Sequence, residues 1–386
     1  MTKAMNKHGD VKSNLMSYDP IKLLIEDLVT RIEQQGTGKT IFSNDDAERF
    51  DIIPENFQEI KISKDNRKIA FVDGGSGLLL KAPNYSIQIN RIYFSMFEGN
   101  KRLTPKKTRT RIEFFSYVFS SIKNIAIKKK IFFNVNVWAV NEKDKQLLPN
   151  PNDLSFDSTD RRITDGTQRP DLARVASIAR RFAEWKMSTE VVKNELEEGD
   201  ILVIDGSLQE AFQNETKYTR ELHELAESKG VIICGLSKTS RLYTDSGASL
   251  LGSVKQISNQ VKFDRWFIKI GTQKKDDRGM ILVTKLHPKS EFVFRLEILR
   301  SQLEKMTYGK LNGILSALAT NSSDLAMIGY PYGLIDADTY SRVKFNELSF
   351  YGDIILSYLS KESNWKQVLG HTMALRGHED LNLAVG

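Results

Sequence analysis

The chain has 386 residues, 40% hydrophobic and 27% charged, with 56 Lys and Arg against 49 Asp and Glu. That length suits one large or two modest domains, and the ordinary composition excludes wholesale disorder and collagen-like structure. No apolar run nears the about 18 residues needed to cross a bilayer, and the opening MTKAMNKHGDVKSNLMSYDP has no signal-peptide hydrophobic stretch. A cytoplasmic protein with no membrane partner is expected. The one cysteine, Cys234, rules out an intramolecular disulfide and a cysteine-clustered zinc site. In Val231-Ile232-Ile233-Cys234 it reads as a small core residue. The histidines, His8, His223, His287, His371 and His378, lack metal-ligand spacing, so any metal would rest on carboxylate oxygens. Such ligands favour Mg or Mn over zinc.

In chain order, Ile21, Leu24, Ile25, Leu28 and Ile32 recur at helical spacing behind Asp19-Pro20, a helix start. Gly36-Thr37-Gly38-Lys39-Thr40 resembles a nucleotide loop but lacks its first glycine; that position is Glu33, and a helix precedes it. It reads as the turn that ends the helix. Ile69-Ala70-Phe71-Val72 is a short buried strand running into Asp73-Gly74-Gly75-Ser76-Gly77. Extended segments follow at 86–97, 111–119 and 130–140, an antiparallel meander, then a loop at 150–170. A helix is expected over 171–196, a fully apolar strand at Ile201-Leu202-Val203-Ile204, a helix near 216–228 and a strand at 231–235. Further strands are expected near 266–270, 280–286 and 292–298, and helices near 308–320, 334–343 and 353–361.

Two apolar strands end in Asp-Gly, at Asp73-Gly74 and at Asp205-Gly206. An aspartate at the carboxyl end of a central strand stands where an α/β sheet places its site, and the glycine admits close approach to the backbone. One Asp-Gly is an ordinary turn. Two carboxylates brought together on one sheet repel unless a cation lies between them, and a divalent metal is the simplest occupant. The order of three antiparallel strands, helix, strand, helix and strand is that of the ribonuclease H-like fold, in which carboxylates hold two metals for phosphodiester cleavage. The expected fold class is therefore α/β, a ribonuclease H-like mixed sheet flanked by helices.

The blocks Phe71-Val72-Asp73-Gly74-Gly75-Ser76, Val203-Ile204-Asp205-Gly206-Ser207-Leu208 and Gly329-Tyr330-Pro331-Tyr332-Gly333-Leu334-Ile335 resemble the signature blocks of the NurA nucleases. The resemblance implies a Mn2+- or Mg2+-dependent DNA exonuclease/endonuclease with two ions per site. It also implies a homodimer that docks on HerA, a hexameric ATP-driven translocase. Carried over by position, the ligands are Asp73, Asp205 and a helix glutamate, best matched by Glu184 with Glu190 as its rival. Tyr330 matches the family's tyrosine, whereas Asp338 stands eight positions later where the family has histidine. Aspartate is a competent hard-metal ligand, so Asp338 joins the catalytic and metal set. Gly75 is an extra glycine, and Gly333 replaces the usual proline.

Net charge is +7, and Lys101–Lys130 holds ten Lys and Arg against the single acid Glu113. Lys106, Lys107, Arg109 and Arg111 read either as a phosphate-facing surface or as a solvated loop. The same two readings apply to Lys238 and Arg241 after the Cys234 strand. Interleaved Phe97, Phe114, Phe115 and Tyr117 read mainly as core, with base stacking as the alternative. The expected organisation is a helical N-terminal extension (1–50), a nuclease core (51–345) and a C-terminal helical segment (346–386). Apolar residues near the ends, such as Leu23, Leu24, Leu28, Ile354 and Leu356, serve either core packing or a dimer or partner contact. Two competing functions stay open: a non-catalytic DNA-clamp or adaptor subunit, and an actin- or sugar-kinase-like ATPase, which also carries Asp-Gly-Gly after a first strand.

Overall fold

A computed structural model of the chain describes residues 19–42, 47–64, 66–125, 128–164, 169–273 and 279–373. Asp19 caps helix α1 (Pro20–Gln34) by accepting from the amides of Ile21 and Lys22, and Pro20 occupies the first turn, where a missing N–H costs nothing. The glycines at 36 and 38 then take positive φ, as a chain leaving a helix requires. The α1 helix buries none of its residues. Its apolar side is not part of this chain's core.

Two short strands, β1 (Ala47–Arg49) and β2 (Gln58–Glu59), precede the meander β3 (Lys68–Ala82), β4 (Tyr85–Glu98), β5 (Lys101–Leu103), β6 (Arg111–Ile125) and β7 (Lys128–Ala139). Strand β8 (Ser155–Asp157) lies within the expected loop. Helices α2 (Leu172–Ala176) and α3 (Ile178–Asn194) replace the single expected helix, with a break at Ser177. They are followed by β9 (Ile201–Asp205), α4 (Glu215–Lys229), β10 (Ile232–Ser237) and α5 (Leu250–Ser258), the last not anticipated. Strands β11 (Trp266–Gln273), β12 (Gly279–Lys285) and β13 (Phe294–Leu299) lead to α6 (Arg300–Leu303), α7 (Tyr308–Thr320), α8 (Tyr332–Ser341) and α9 (Phe345–Leu359). The expected C-terminal segment continues into 374–386, which lie outside the described residues.

The strands form one sheet in the order β1-β11-β12-β13-β10-β9-β3-β4-β6-β7-β8, with β2 on β11 and β5 on β4. Only β3–β9 and β9–β10 pair in parallel; the other described pairs are antiparallel. The central run β6-β4-β3-β9-β10 is the ribonuclease H-like order expected from the sequence, widened on both flanks. Period-2 alternation divides its side chains between two cores. Ala70, Val72, Phe94 and Phe114 pack beneath Phe182 and Trp185 of α3. Ile69, Phe71, Tyr93 and Val203 pack beneath Leu311, Leu315, Tyr330 and Leu334 on the other face. A third cluster joins Leu250 and Val254 of α5 to Trp266, Ile268 and Val283. Cys234 is fully buried, as its neighbours imply. Among the described residues no helix is long and apolar enough to cross a membrane.

One expectation fails at the first Asp-Gly. The β3 strand does not turn there but runs through Asp73-Gly74-Gly75-Ser76-Gly77 to Ala82, paired with β4 throughout. The glycines thin the strand so that other elements can lie on its backbone. A Cβ on Gly75 would stand 2.3 Å from the Ser341 carbonyl oxygen at the α8–α9 joint, and one on Gly77 would stand 2.3 Å from Leu348. Arg91 fastens the same joint: it donates to the Arg342 carbonyl (2.7 Å), Glu347 (2.6 Å) and Glu113 (2.6 Å) while almost fully buried. Gly333 serves likewise, since a Cβ there would meet the Phe71 ring at 2.0 Å.

Gly75→Ala is therefore expected to lower stability by about 1–3 kcal/mol, read as a lower urea midpoint with unchanged slope. Gly352→Ala in α9 has no heavy atom within 4 Å of its Cβ. It should stabilise by about 0.5–1 kcal/mol through helix propensity.

Candidate metal centre

Strands β3 and β9 are parallel neighbours in register Val72↔Ile204, so the next residues, Asp73 and Asp205, lie level. Ile69, Phe71, Ile201 and Val203 face the α7–α8 core, and the alternation puts Asp73 and Asp205 on that same face. At Asp205 β9 ends, and Gly206 turns the chain away with φ of 101°. Asp338 arrives from the last turn of α8. Asp73, Asp205 and Asp338 each present a carboxylate oxygen within 4.8 Å of the others. Residues 265 positions apart in the extreme case thus meet at one point.

Each carboxylate has its own support. The Gly74 amide donates to Asp73 Oδ1 at 2.7 Å. Tyr330, fully buried against Phe294, donates its hydroxyl to Asp205 Oδ1 at 3.0 Å. Lys238, just past β10, places Nζ 3.1 Å from Asp205 Oδ2 and 2.8 Å from Asp338 Oδ1. Arg342, one turn after Asp338, pairs with Asp338 Oδ2 at 2.5 Å. Arg342 went unnoticed in the sequence, although its i,i+4 spacing from Asp338 at a helix end was a usable signal.

Glu184 lies on the opposite face of β3. Its carboxylate rests on Gly74, whose missing side chain makes room: a Cβ there would be 2.3 Å from Glu184 Oε1. Arg180 pairs with Glu184 and donates to the Gly74 carbonyl at 2.6 Å. Glu190, two turns further along α3, accepts from Asn194 at 2.6 Å. Of the two rivals, Glu184 is the one that stands against the Asp73 strand, outside the three-carboxylate group.

Electrostatics follow from this crowding. Burial, then the neighbouring charges of Asp205 and Glu184, push Asp73 up to about 8, with Lys238 acting against them. Burial raises Glu184 as well, opposed by Arg180 and Arg181. For Lys238 burial works against the charge, yet Asp205, Asp338 and Asp73 together hold its pKa above the ordinary value. Burial and the adjacent carboxylates raise Tyr330, so it stays a phenol and a donor. Three hard oxygen donors converging with too little positive charge fit a hard divalent cation, held by Asp73, Asp205 and Asp338, better than any soft metal.

The basic candidates separate. Arg111 pairs with Tyr93, which pairs with Asp73, so it lies two strands, roughly 10 Å, from the carboxylates. It is half exposed beside Glu113. Lys106 and Lys107 lie elsewhere: their amides, with that of Thr108, donate to Glu195 at the end of α3, next to the start of β3. Five residues of strand, about 16 Å, separate that end from Asp73. Arg109 pairs with Asp144, and Arg241 is exposed three residues after Lys238. Phe97 and Phe114 are core residues, whereas Phe115 packs on Tyr351 and Tyr117 stacks near Trp138.

Asp73 carries a pH signature. A carboxyl whose folded pKa, about 8, exceeds its ordinary 3.8 stabilises the fold below about 4, and this contribution is lost as pH rises towards 8. In EDTA, Asp73→Asn should therefore gain on the wild type as pH rises through that window. It should be the more stable protein at pH 9 by on the order of 1–3 kcal/mol, measured by urea unfolding.

Comparison with known proteins agrees with this architecture. The NurA nuclease from Sulfolobus solfataricus has a similar fold, with a TM-score of 0.51, 14% identity, and 90% of this chain and 96% of that chain covered. Endonuclease V from Ciona intestinalis, solved with a 24mer DNA containing an inosine followed by a ribo-adenosine, matches at a TM-score of 0.34, 11% identity, and 83% and 96% coverage. No curated protein sequence matches the chain. The NurA domain matches residues 67–343, well over half of the chain and a span that includes Asp73, Asp205 and Asp338, so the chain belongs to the NurA family.

Proposed function

We propose that the chain is a divalent-metal-dependent deoxyribonuclease that hydrolyses phosphodiester bonds at the Asp73–Asp205–Asp338 centre. The observation that carries this reading is the meeting of three carboxylates from two central strands and a helix in a chain of the NurA family. On this reading Asp73 and Asp205 are the primary ligands, Mn2+ or Mg2+ is the cofactor, and Asp338 and Glu184 complete the acidic set. A bound divalent ion would polarise the scissile phosphate and make an attacking water more acidic. The protein's own part is orientation. Tyr330 fixes Asp205 through Oδ1, Arg180 and Gly74 fix the backbone beside Asp73, and the sheet forbids the carboxylates to part. Lys238 and Arg342 stand beside the acids as cations for phosphate oxygens, and Arg111 and Arg241 extend the same charge outward for DNA.

The wider setting is proposed on the same footing: a cytoplasmic homodimer working with a HerA-type hexameric ATPase in DNA-end processing or antiphage defence. Residues 51–345 would be the nuclease core, with 1–50 and 346–386 as extensions. The exposed apolar side of α1 (Ile21, Leu24, Ile32) and the exposed aromatics of α9 (Phe345, Phe350, Tyr358) are surfaces such partners would cover. The ATPase alternative loses its main support, because the Gly74–Gly77 run lies under Glu184, Ser341 and Leu348 instead of opening to a phosphate.

On linear DNA with Mn2+, cleavage by the wild type is expected and EDTA should stop it. Asp73→Ala and Asp205→Ala should each abolish cleavage while melting temperature and DNA binding persist. Tyr330→Phe should slow cleavage about 10–100-fold. Full activity in both aspartate variants would remove the nuclease reading of this centre. Absence of any cleavage, even with the ATPase and ATP present, would favour the adaptor subunit.

A further inference from the structure

The contacts of Lys238 bear on how many ions the proposed centre can take. Asp205 has both oxygens engaged, Oδ1 by the Tyr330 hydroxyl and Oδ2 by the Lys238 ammonium. Asp338 has both engaged by cations, Oδ1 by Lys238 and Oδ2 by Arg342. Asp73 differs: its one described partner is the Gly74 amide on Oδ1, and among the described residues no cation pairs with it directly. A cation shared by Asp205 and Asp338 would lie between their carboxylates, and that is where Nζ sits.

We infer that Lys238, fixed between Asp205 and Asp338, takes the place of a second cation, so that each chain binds one divalent ion, on the Asp73 and Asp205 side of the centre. This inference rests on the metal-nuclease reading proposed above and departs from the two-ion count that the family resemblance implies. Charge supports it. The three carboxylates carry three negative charges, and Lys238 and Arg342 set two positive charges against them, so one divalent ion already more than offsets what remains. A second ion would enter a pocket with no negative charge left to offset it and would have to displace the ammonium from two carboxylates at about hydrogen-bond distance. Glu184 supplies no spare charge, because Arg180 neutralises it on the other face of β3. The ammonium has a further support: Nζ lies over the Tyr330 ring, 5.7 Å from the centroid, and that ring is buried in the core. In this arrangement Asp338 acts chiefly through Lys238, as a positioning residue, and the ammonium is free on its remaining side to meet a phosphate oxygen.

The test is the number of Mn2+ ions bound per full-length chain. MnCl2 is added in the presence of a single-stranded phosphorothioate oligonucleotide that resists cleavage, so that any ion completed by a phosphate is counted. Free Mn2+ is read by electron paramagnetic resonance and heat by calorimetry. The wild type is expected to bind one ion, Lys238→Met two, and Lys238→Arg, which keeps the charge, one. Lys238→Gln repeats the Met measurement should that variant fail to fold, as judged by circular dichroism. Two ions on the wild type, or one ion on a folded Lys238→Met or Lys238→Gln protein, overturns the inference and leaves the metal centre standing. No ion on the wild type, or one that Asp73→Asn leaves in place, overturns the metal reading itself and the inference with it.

Discussion

Mutual repulsion among crowded carboxylates, one buried and two half-buried, is the constraint around which the centre of this fold is arranged. Asp73, Asp205 and Asp338 are crowded together, and the upward shift of Asp73 registers first its burial and then the neighbouring charges of Asp205 and Glu184. What prevents separation is the parallel β3–β9 pairing, buried on both faces, which leaves neither strand free to slide. Every nearby polar contact acts to offset that repulsion. Lys238 answers two of the acids, Arg342 and Tyr330 answer one each, and the Gly74 amide answers the third. An arrangement strained in this way has the character of a functional site, since a structural sheet end gains nothing from it.

The glycines of β3 follow from the same demand. Three acids reach one point only if the elements carrying them approach a strand more closely than a side chain permits. Gly74 admits Glu184 on one face, while Gly75 and Gly77 admit the α8–α9 joint and α9 on the other. Arg91 then fixes that joint by charge-assisted bonds to two glutamates and a carbonyl. The strand is thus a thin wall with acids disposed on both sides. Its glycine run serves approach by the protein's own elements and not, as its composition implies in isolation, a turn opening to a ligand.

Much of the centre was legible because its determinants are local. Four apolar residues followed by Asp-Gly, twice, mark two central strands whose aspartates meet, and the Tyr330 block marks the helix that closes over them. Glu184 was singled out through the family resemblance, and the structure sets it beside β3 but outside the three-carboxylate group, in the room left by the absent Cβ of Gly74. What escaped was set by partners distant in sequence. Nothing within Lys101–Lys130 reveals that Glu195 holds the amides of Lys106, Lys107 and Thr108. Helix α5 was hidden because its apolar residues pack against β11 and β12, a flank that the ribonuclease H-like order does not contain. The break at Ser177 was hidden because Ser in a helical run is tolerated, and here its hydroxyl turns back to the Arg174 carbonyl at 2.7 Å.

The Glu195 clamp also changes what the basic loop can do on the proposed reading. A carboxylate that takes three consecutive amides fixes the loop backbone and leaves the Lys106 and Lys107 side chains in solvent. A fixed backbone bearing mobile ammonium groups is a fitting surface for phosphates of any sequence, because it contributes charge without reading bases. It stands at the start of β3, while the acids stand five residues further along, so cationic and anionic ends are separated along one strand axis. DNA drawn to the first end and cut at the second would cross the intervening surface, where Arg102 of β5 pairs with Asp336 and Tyr93 beneath Tyr340. The spacing of the two ends, about 16 Å by strand geometry, would then set the shortest stretch of nucleic acid that engages both.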